Sequence, residues 1–179
     1  MKEKHARRDA RKSAPDSYAA FMSRAYTIEI EAVERYAQFA DQLETHNNRE
    51  VAQLFRKLSE IEKLHAKRIL EEMRWPAMPA LPPAYAWEGE APETAPFASM
   101  HYLMQPWHAL EIALECELQA QKYYESIAAS KAPKRVRAAA KEMATEEVEH
   151  VRLIREWMKR VPKPARGWDE DPDPPRVTE

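Results

Sequence analysis

Fourteen prolines punctuate this 179-residue chain, and they leave four long stretches free to form helix. Pro15 precedes the first stretch, Pro106 and Pro133 fall where the third and fourth begin, and Pro162 follows the last. Proline lacks an N–H and clashes with the preceding turn, so helices accept it at their start and exclude it from their interior. The spacing predicts helices over roughly 17–46, 48–74, 106–131 and 133–160. With only two glycines, Gly89 and Gly167, the chain has no glycine-rich phosphate loop and little material for tight β-hairpins. Ala, Glu, Lys, Leu and Arg dominate, and the fold class is all-α.

Short turns join the first helix to the second and the third to the fourth, so each pair is expected to be an antiparallel hairpin. At the first turn, Asn47 with Glu50 reads as a capping box. Between the hairpins lies "WPAMPALPPAYAWEGEAPETAPFASMHYLMQ", with six prolines. Each helix is on the order of 40 Å long at about 1.5 Å per residue, a length this connection can run. The expected architecture is a four-helix bundle over residues 17–161: two antiparallel hairpins joined by a long proline-rich crossover. The basic start, 1–16, and the segment 162–179, "PKPARGWDEDPDPPRVTE", read as disordered tails.

A net charge of −2 gives no reason to expect nucleic acid or a membrane surface as partner. The start "MKEKHARRDARKSA" lacks the apolar core of a secretory signal, and the uncharged run from Thr94 to Leu110 contains Pro96 and Pro106. The lone Cys116 excludes an internal disulfide and suits a reducing compartment. These features together place the protein in the cytoplasm.

Each helix carries an apolar stripe with a polar interruption near its middle. Helix one offers Met22, Tyr26, Val33, Tyr36, Phe39 and Leu43, with Glu29 among them. On helix two, Glu62 and His65 interrupt Val51, Leu54, Phe55, Leu58 and Ile69. Glu117 lies among Leu110, Ala113, Tyr124 and Ile127 of helix three. Glu147 and His150 lie among Val136, Met143, Val151, Ile154 and Trp157 of helix four. The halves also repeat: "EIEAVERY" begins at Glu29 and "ELQAQKYY" at Glu117, and a Glu-x-x-His pair follows each. Such a repeat suggests hairpins related by an approximate two-fold axis, with all six polar residues at one level.

Four buried carboxylates, uncompensated, cost about several kcal/mol each. Two divalent metal ions would cancel their charge. Residues at i and i+3 have Cβ atoms about 5–6 Å apart on one helix face. A Glu-x-x-His pair can therefore reach neighbouring positions around one ion, at about 2.0–2.2 Å by analogy with zinc. Mixed carboxylate and imidazole donors suit iron or manganese and can hold zinc. One Glu from each of two helices, with Glu-x-x-His from each of the other two, is the dimetal pattern of ferritin-like bundles. A single Glu-x-x-His is a weak signal; two in register with two stripe glutamates are a strong one. Tyr36, Tyr123 and Tyr124 read as core aromatics and Cys116 as a packed, inert thiol. The other histidines, His5, His46, His101 and His108, fall at ends or loops and read as solvated.

These residues resemble the ferritin-like superfamily, and within it the rubrerythrin diiron domain, over roughly residues 20–160. "EIEAVERYAQFA" and "EKLHAKRI" look like that domain's first two helices and "EVEHVRLI" like its fourth. The resemblance implies two iron ions, or manganese or a mixed pair, bridged by Glu62 and Glu147. It makes Glu29 and Glu117 terminal ligands and completes the set with His65 and His150. Two departures stand out. Where typical rubrerythrins carry a further carboxylate on helix three, this chain has Ala120, and it lacks the paired Cys-x-x-Cys motifs of a rubredoxin domain.

The resemblance implies a non-haem diiron oxidoreductase that reduces hydrogen peroxide or dioxygen. Without a rubredoxin domain, its electrons come from a separate donor protein. A ferroxidase for iron detoxification or storage is the alternative within the same ligand set, and manganese catalase is disfavoured by the resemblance. A metal-free helical interaction module is the reading from a different class; the stripes favour it and six core ligands oppose it. The long apolar crossover suggests a homodimer.

Overall fold

The computed structural model describes residues 15, 17–77 and 94–171. Four long helices and one short 3-10 turn account for its regular structure: α1 (Tyr18–Thr45), α2 (Arg49–Met73), Phe97–Ser99, α3 (Pro106–Ala128) and α4 (Lys134–Met158). The architecture is the expected all-α ferritin-like bundle. The α1–α2 and α3–α4 hairpins are each packed along their length, and the closest backbone approaches between hairpins run from α2 to α3 and from α1 to α4. Among the described residues, no helix is long and apolar enough to cross a membrane.

Local chemistry sets the ends. Ser17 caps α1, its hydroxyl oxygen accepting from the Ala20 N–H at 3.2 Å. Asn47 then takes a left-handed φ of 58°, a conformation Asn tolerates better than most residues, and the Asn48 N–H returns to the Leu43 carbonyl at 2.8 Å. This corrects the expected capping box: Asn47 ends α1, and Asn48 is the N-cap of α2 without a side-chain cap bond. The Asn48 amide donates instead to the carbonyls of Met104 at 2.6 Å and Tyr102 at 3.3 Å. A capping box does occur at α3, where Gln105 and His108 exchange side-chain and backbone bonds and Pro106 occupies the first turn.

The Asn48 bonds also settle how the crossover runs. The chain leaves α2 beyond Met73 and is back beside the start of α2 by Met104, so it has travelled the length of that helix. On its return it contributes Ala95 and Met104 to the core, and the Ala95 carbonyl accepts from Arg35. Its segment 78–93 lies outside the described residues, as do the basic start and 172–179.

The part of the expected disordered tail that is described, 162–171, makes specific contacts. Gly167 turns the chain at φ 71°, where a side chain would be strained, and Trp168 lies 3.7 Å from the His108 ring and 5.2 Å from that of His101. His101 and His108 are thus half-buried ring partners, not the solvated residues the sequence suggested; His46 is exposed. Burial lowers the pKa of His108, which keeps the ring neutral so that its Nδ1 accepts the Gln105 N–H at 2.9 Å.

The interior consists of two apolar clusters. One contains Tyr36, Phe39, Leu43, Val51, Phe55, Leu58, Leu110 and Ile154, with Phe55 stacked on Tyr36 at 5.7 Å and edge-on to Phe39 at 5.2 Å. The other contains Phe21, Met22, Ile28, Ile69, Tyr124, Ile127 and Val136. Of the expected stripe residues, Tyr26, Val33, Leu54, Met143 and Trp157 are only partly buried. Along every helix the change from one cluster to the other comes at the polar interruption: Glu29 lies between Ile28 and Ala32, and Glu117 between Cys116 and Ala120.

A candidate metal centre between the two apolar layers

All six candidate residues meet at this boundary. Glu29, Glu62 and His65 offer donor atoms within 4.8 Å of one another, and so do Glu117, Glu147 and His150. The internal repeat is thus a repeat in space, each hairpin supplying one Glu-Glu-His triad. The triads face each other through their imidazoles: the rings of His65 and His150 are parallel to within 4°, with centroids 4.7 Å apart. The four glutamates are only 4–5% exposed, whereas the histidines are partly open to solvent.

Within each triad the imidazole turns Nδ1 towards the carboxylates. His65 Nδ1 lies 3.0 Å from Glu62 and 3.5 Å from Glu29; His150 Nδ1 lies 3.0 Å from Glu147 and 3.2 Å from Glu117. The i, i+3 spacing fixes the shorter contact, and the packing of the hairpin brings in the second carboxylate. At 3.5 Å the Glu29 contact falls short of a well-formed hydrogen bond, so Oε2 of this buried carboxylate has an ionic neighbour and no hydrogen-bond donor.

Burial dominates the electrostatics. It pushes Glu29 up to about 7 and Glu147 up to about 9, and it also raises Glu62. Burial acts the same way on Glu117, but hydrogen bonds from His150 and Glu147 outweigh it and lower the pKa. For the imidazoles burial works downward and is overcome by the adjoining carboxylates, so His65 rises to about 10 and His150 to about 11. A metal-free centre therefore holds protons at neutral pH: the imidazoles are cationic, and Glu147 shares a carboxyl proton with Glu117. Burial, the largest influence on Glu147, keeps its carboxyl protonated, and the two imidazolium charges do not offset it.

The donor set fits two divalent cations. Four carboxylates and two Nδ1 atoms are gathered in a layer that is otherwise apolar, and the carboxylate oxygen of Glu29 lacks a donor. Retained protons and a missing partner are what a cation would replace.

Beside the site, Tyr36 and Cys116 form a hydrogen-bonded pair, and burial raises both pKa values, that of the thiol to about 12. Cys116 is thus a protonated, packed thiol, as expected. The Tyr36–Cys116 pairing was not visible in sequence, since it joins α1 to α3. Ala120, where a further carboxylate was noted as missing, is fully buried in the second apolar cluster.

The rubrerythrin family pattern matches residues 20–75 and 108–171, which takes in all four helices and every one of the six residues. The fold and sequence are similar to the crystal structure of an uncharacterized conserved protein from Magnetospirillum magnetotacticum MS-1. That protein is 35% identical, with a TM-score of 0.61 over 83% of this chain and 98% of its own. No curated protein matches. With a family pattern spanning both hairpins and paired Glu-Glu-His triads at their junction, this chain belongs to the rubrerythrin family.

Proposed function

We propose that the protein is a diiron oxidoreductase that reduces hydrogen peroxide or dioxygen with electrons from a separate donor protein. The observation that carries this reading is the pair of Glu-Glu-His triads facing each other across the stacked imidazoles. Glu29, Glu62 and His65 would hold one ion, and Glu117, Glu147 and His150 the other. Iron bound there supplies electrons and Lewis acidity. The protein's own part is to flank the site with two apolar layers, orient each Nδ1 with two carboxylates, and hold protons at the buried carboxyls, Glu147 above all, until metal displaces them. Reduction of one peroxide to two waters consumes two electrons and two protons.

A ferroxidase is the second reading, and Ala120 is the observation in its favour. The carboxylate that typical rubrerythrins add on this helix is replaced by an alanine buried in apolar surroundings. Anaerobic loading with ferrous iron, followed by peroxide or dioxygen in the presence of a chemical reductant, separates the two. A peroxide or dioxygen reductase turns over many oxidant molecules per site. A ferroxidase consumes oxidant in proportion to the ferrous iron added. Absence of iron binding would end both readings and favour the interaction module.

A further inference from the structure

One face of the buried site is open. A cleft of about 160 Å³ runs between α1, α2 and α4 from the surface to Glu29, His65, Glu147 and His150. Beyond the triads its walls carry three more carboxylates, Glu72, Glu142 and Glu146, against one cation, Arg68. Their positions follow helix geometry. Arg68 and Glu72 lie one and two turns beyond His65 on the same side of α2, while Glu142 and Glu146 lie within two turns of Glu147 on α4. At its outer edge, Tyr18 donates to Glu72 and carries the Arg135 guanidinium over its ring. At its inner end is Glu29, 5% exposed, whose Oε2 has no hydrogen-bond donor. The volume holds about five waters at roughly 30 Å³ each, enough for a partly hydrated divalent ion.

We propose that this cleft is the loading passage for divalent cations. Glu142 and Glu146, with Glu72 opposite, gather the ion at the mouth, and Glu29, whose buried Oε2 has no hydrogen-bond donor, receives it at the inner end. Arg68, the one guanidinium in the lining, weakens the field of the three carboxylates. At the mouth three carboxylates outnumber the one guanidinium, and a net charge of one sign at the entrance of a cleft with low-dielectric walls concentrates counter-ions and raises association rates by about 10- to 1,000-fold. A passage for uncharged peroxide or dioxygen has no use for that charge.

The inference rests on the two-metal reading of the inner site, and the experiment separates the two. Cobalt(II) serves as probe, because its visible absorption reports coordination without oxidation chemistry. The full chain, stripped of metal by chelation, is mixed rapidly with cobalt(II) at low ionic strength. Glu142→Gln/Glu146→Gln should slow uptake by about tenfold while the final stoichiometry stays at two ions per chain. Arg68→Glu should speed it. Glu115→Gln/Glu125→Gln, which removes the same charge from α3 away from the cleft, should leave the rate unchanged. The differences should shrink in about 1 M salt, where the Debye length is about 3 Å. Equal rates for the cleft variant and wild type, or equal slowing by the α3 control, overturn the passage alone. A wild-type chain that takes up no cobalt overturns the passage and the metal site together.

Discussion

At the scale of single residues, Glu147 shows how the site couples charge to burial. Its carboxyl, 4% exposed, contacts His150 at 3.0 Å, and burial together with Glu117 lifts its pKa to about 9. Glu147→Ala should therefore lower the metal stoichiometry below two per chain and abolish many-turnover reduction. Ala is the best helix former, so the far-ultraviolet circular dichroism should stay close to wild type. The variant also removes a buried acid that must ionise when the pH is high. At pH 9, its metal-free melting temperature should consequently be no lower than that of wild type. Two bound ions with unimpaired turnover in the variant would place the chemistry elsewhere.

At the scale of elements, the turn between α1 and α2 connects hairpin and crossover. Asn48→Ala removes two side-chain hydrogen bonds to the carbonyls of Tyr102 and Met104, and should cost about 1–3 kcal/mol in urea-monitored unfolding. Phe55→Ala, in the stacked cluster of the same hairpin, removes a fully buried ring and should cost about 3–5 kcal/mol. Both should leave the donor set intact, so cobalt stoichiometry separates them from the ligand variant. These elements also show what was legible in sequence. A proline stands at or just before the start of three of the four helices, and the helix ends fall within about three residues of where the sequence put them, because a missing N–H is a local property. The convergence of the six candidate residues was legible because i, i+3 spacing, repeated twice, puts Glu62 with His65 and Glu147 with His150 on one helix face, and the internal repeat sets Glu29 and Glu117 beside them. The choice between Asn47 and Asn48 as cap was not, since it depends on carbonyls more than fifty positions away. Nor were the Trp168 contacts or the Tyr36–Cys116 pair, each made by surfaces that meet only after folding.

At the scale of the whole molecule, the two apolar clusters hold apart a layer that is stable only when its charge is offset, and protons and metal ions compete to offset it. The sign follows from the shifts. Glu29 and Glu147 have folded pKa values of about 7 and about 9, above the ordinary carboxylate value of 4.5, so folding takes up protons. Their contribution to the metal-free fold is complete below the ordinary value and is lost as pH rises through about 7 to about 9. His65 and His150, raised from 6.5 to about 10 and about 11, act in the same direction, their contribution falling from about pH 6.5 upward. The metal-free protein should therefore melt at a lower temperature at pH 9 than at pH 6. Metal binding must displace those same protons, so cation affinity should rise over that interval. Added stabilisation by metal should accordingly be larger at pH 9 than at pH 6, and calorimetric melting with and without cobalt(II) at both values checks it. Parallel pH trends for the two forms would mean that the protons held between the layers are not the ones a cation replaces. The layer would then be a structural acid cluster, and the two-ion centre would have to be abandoned.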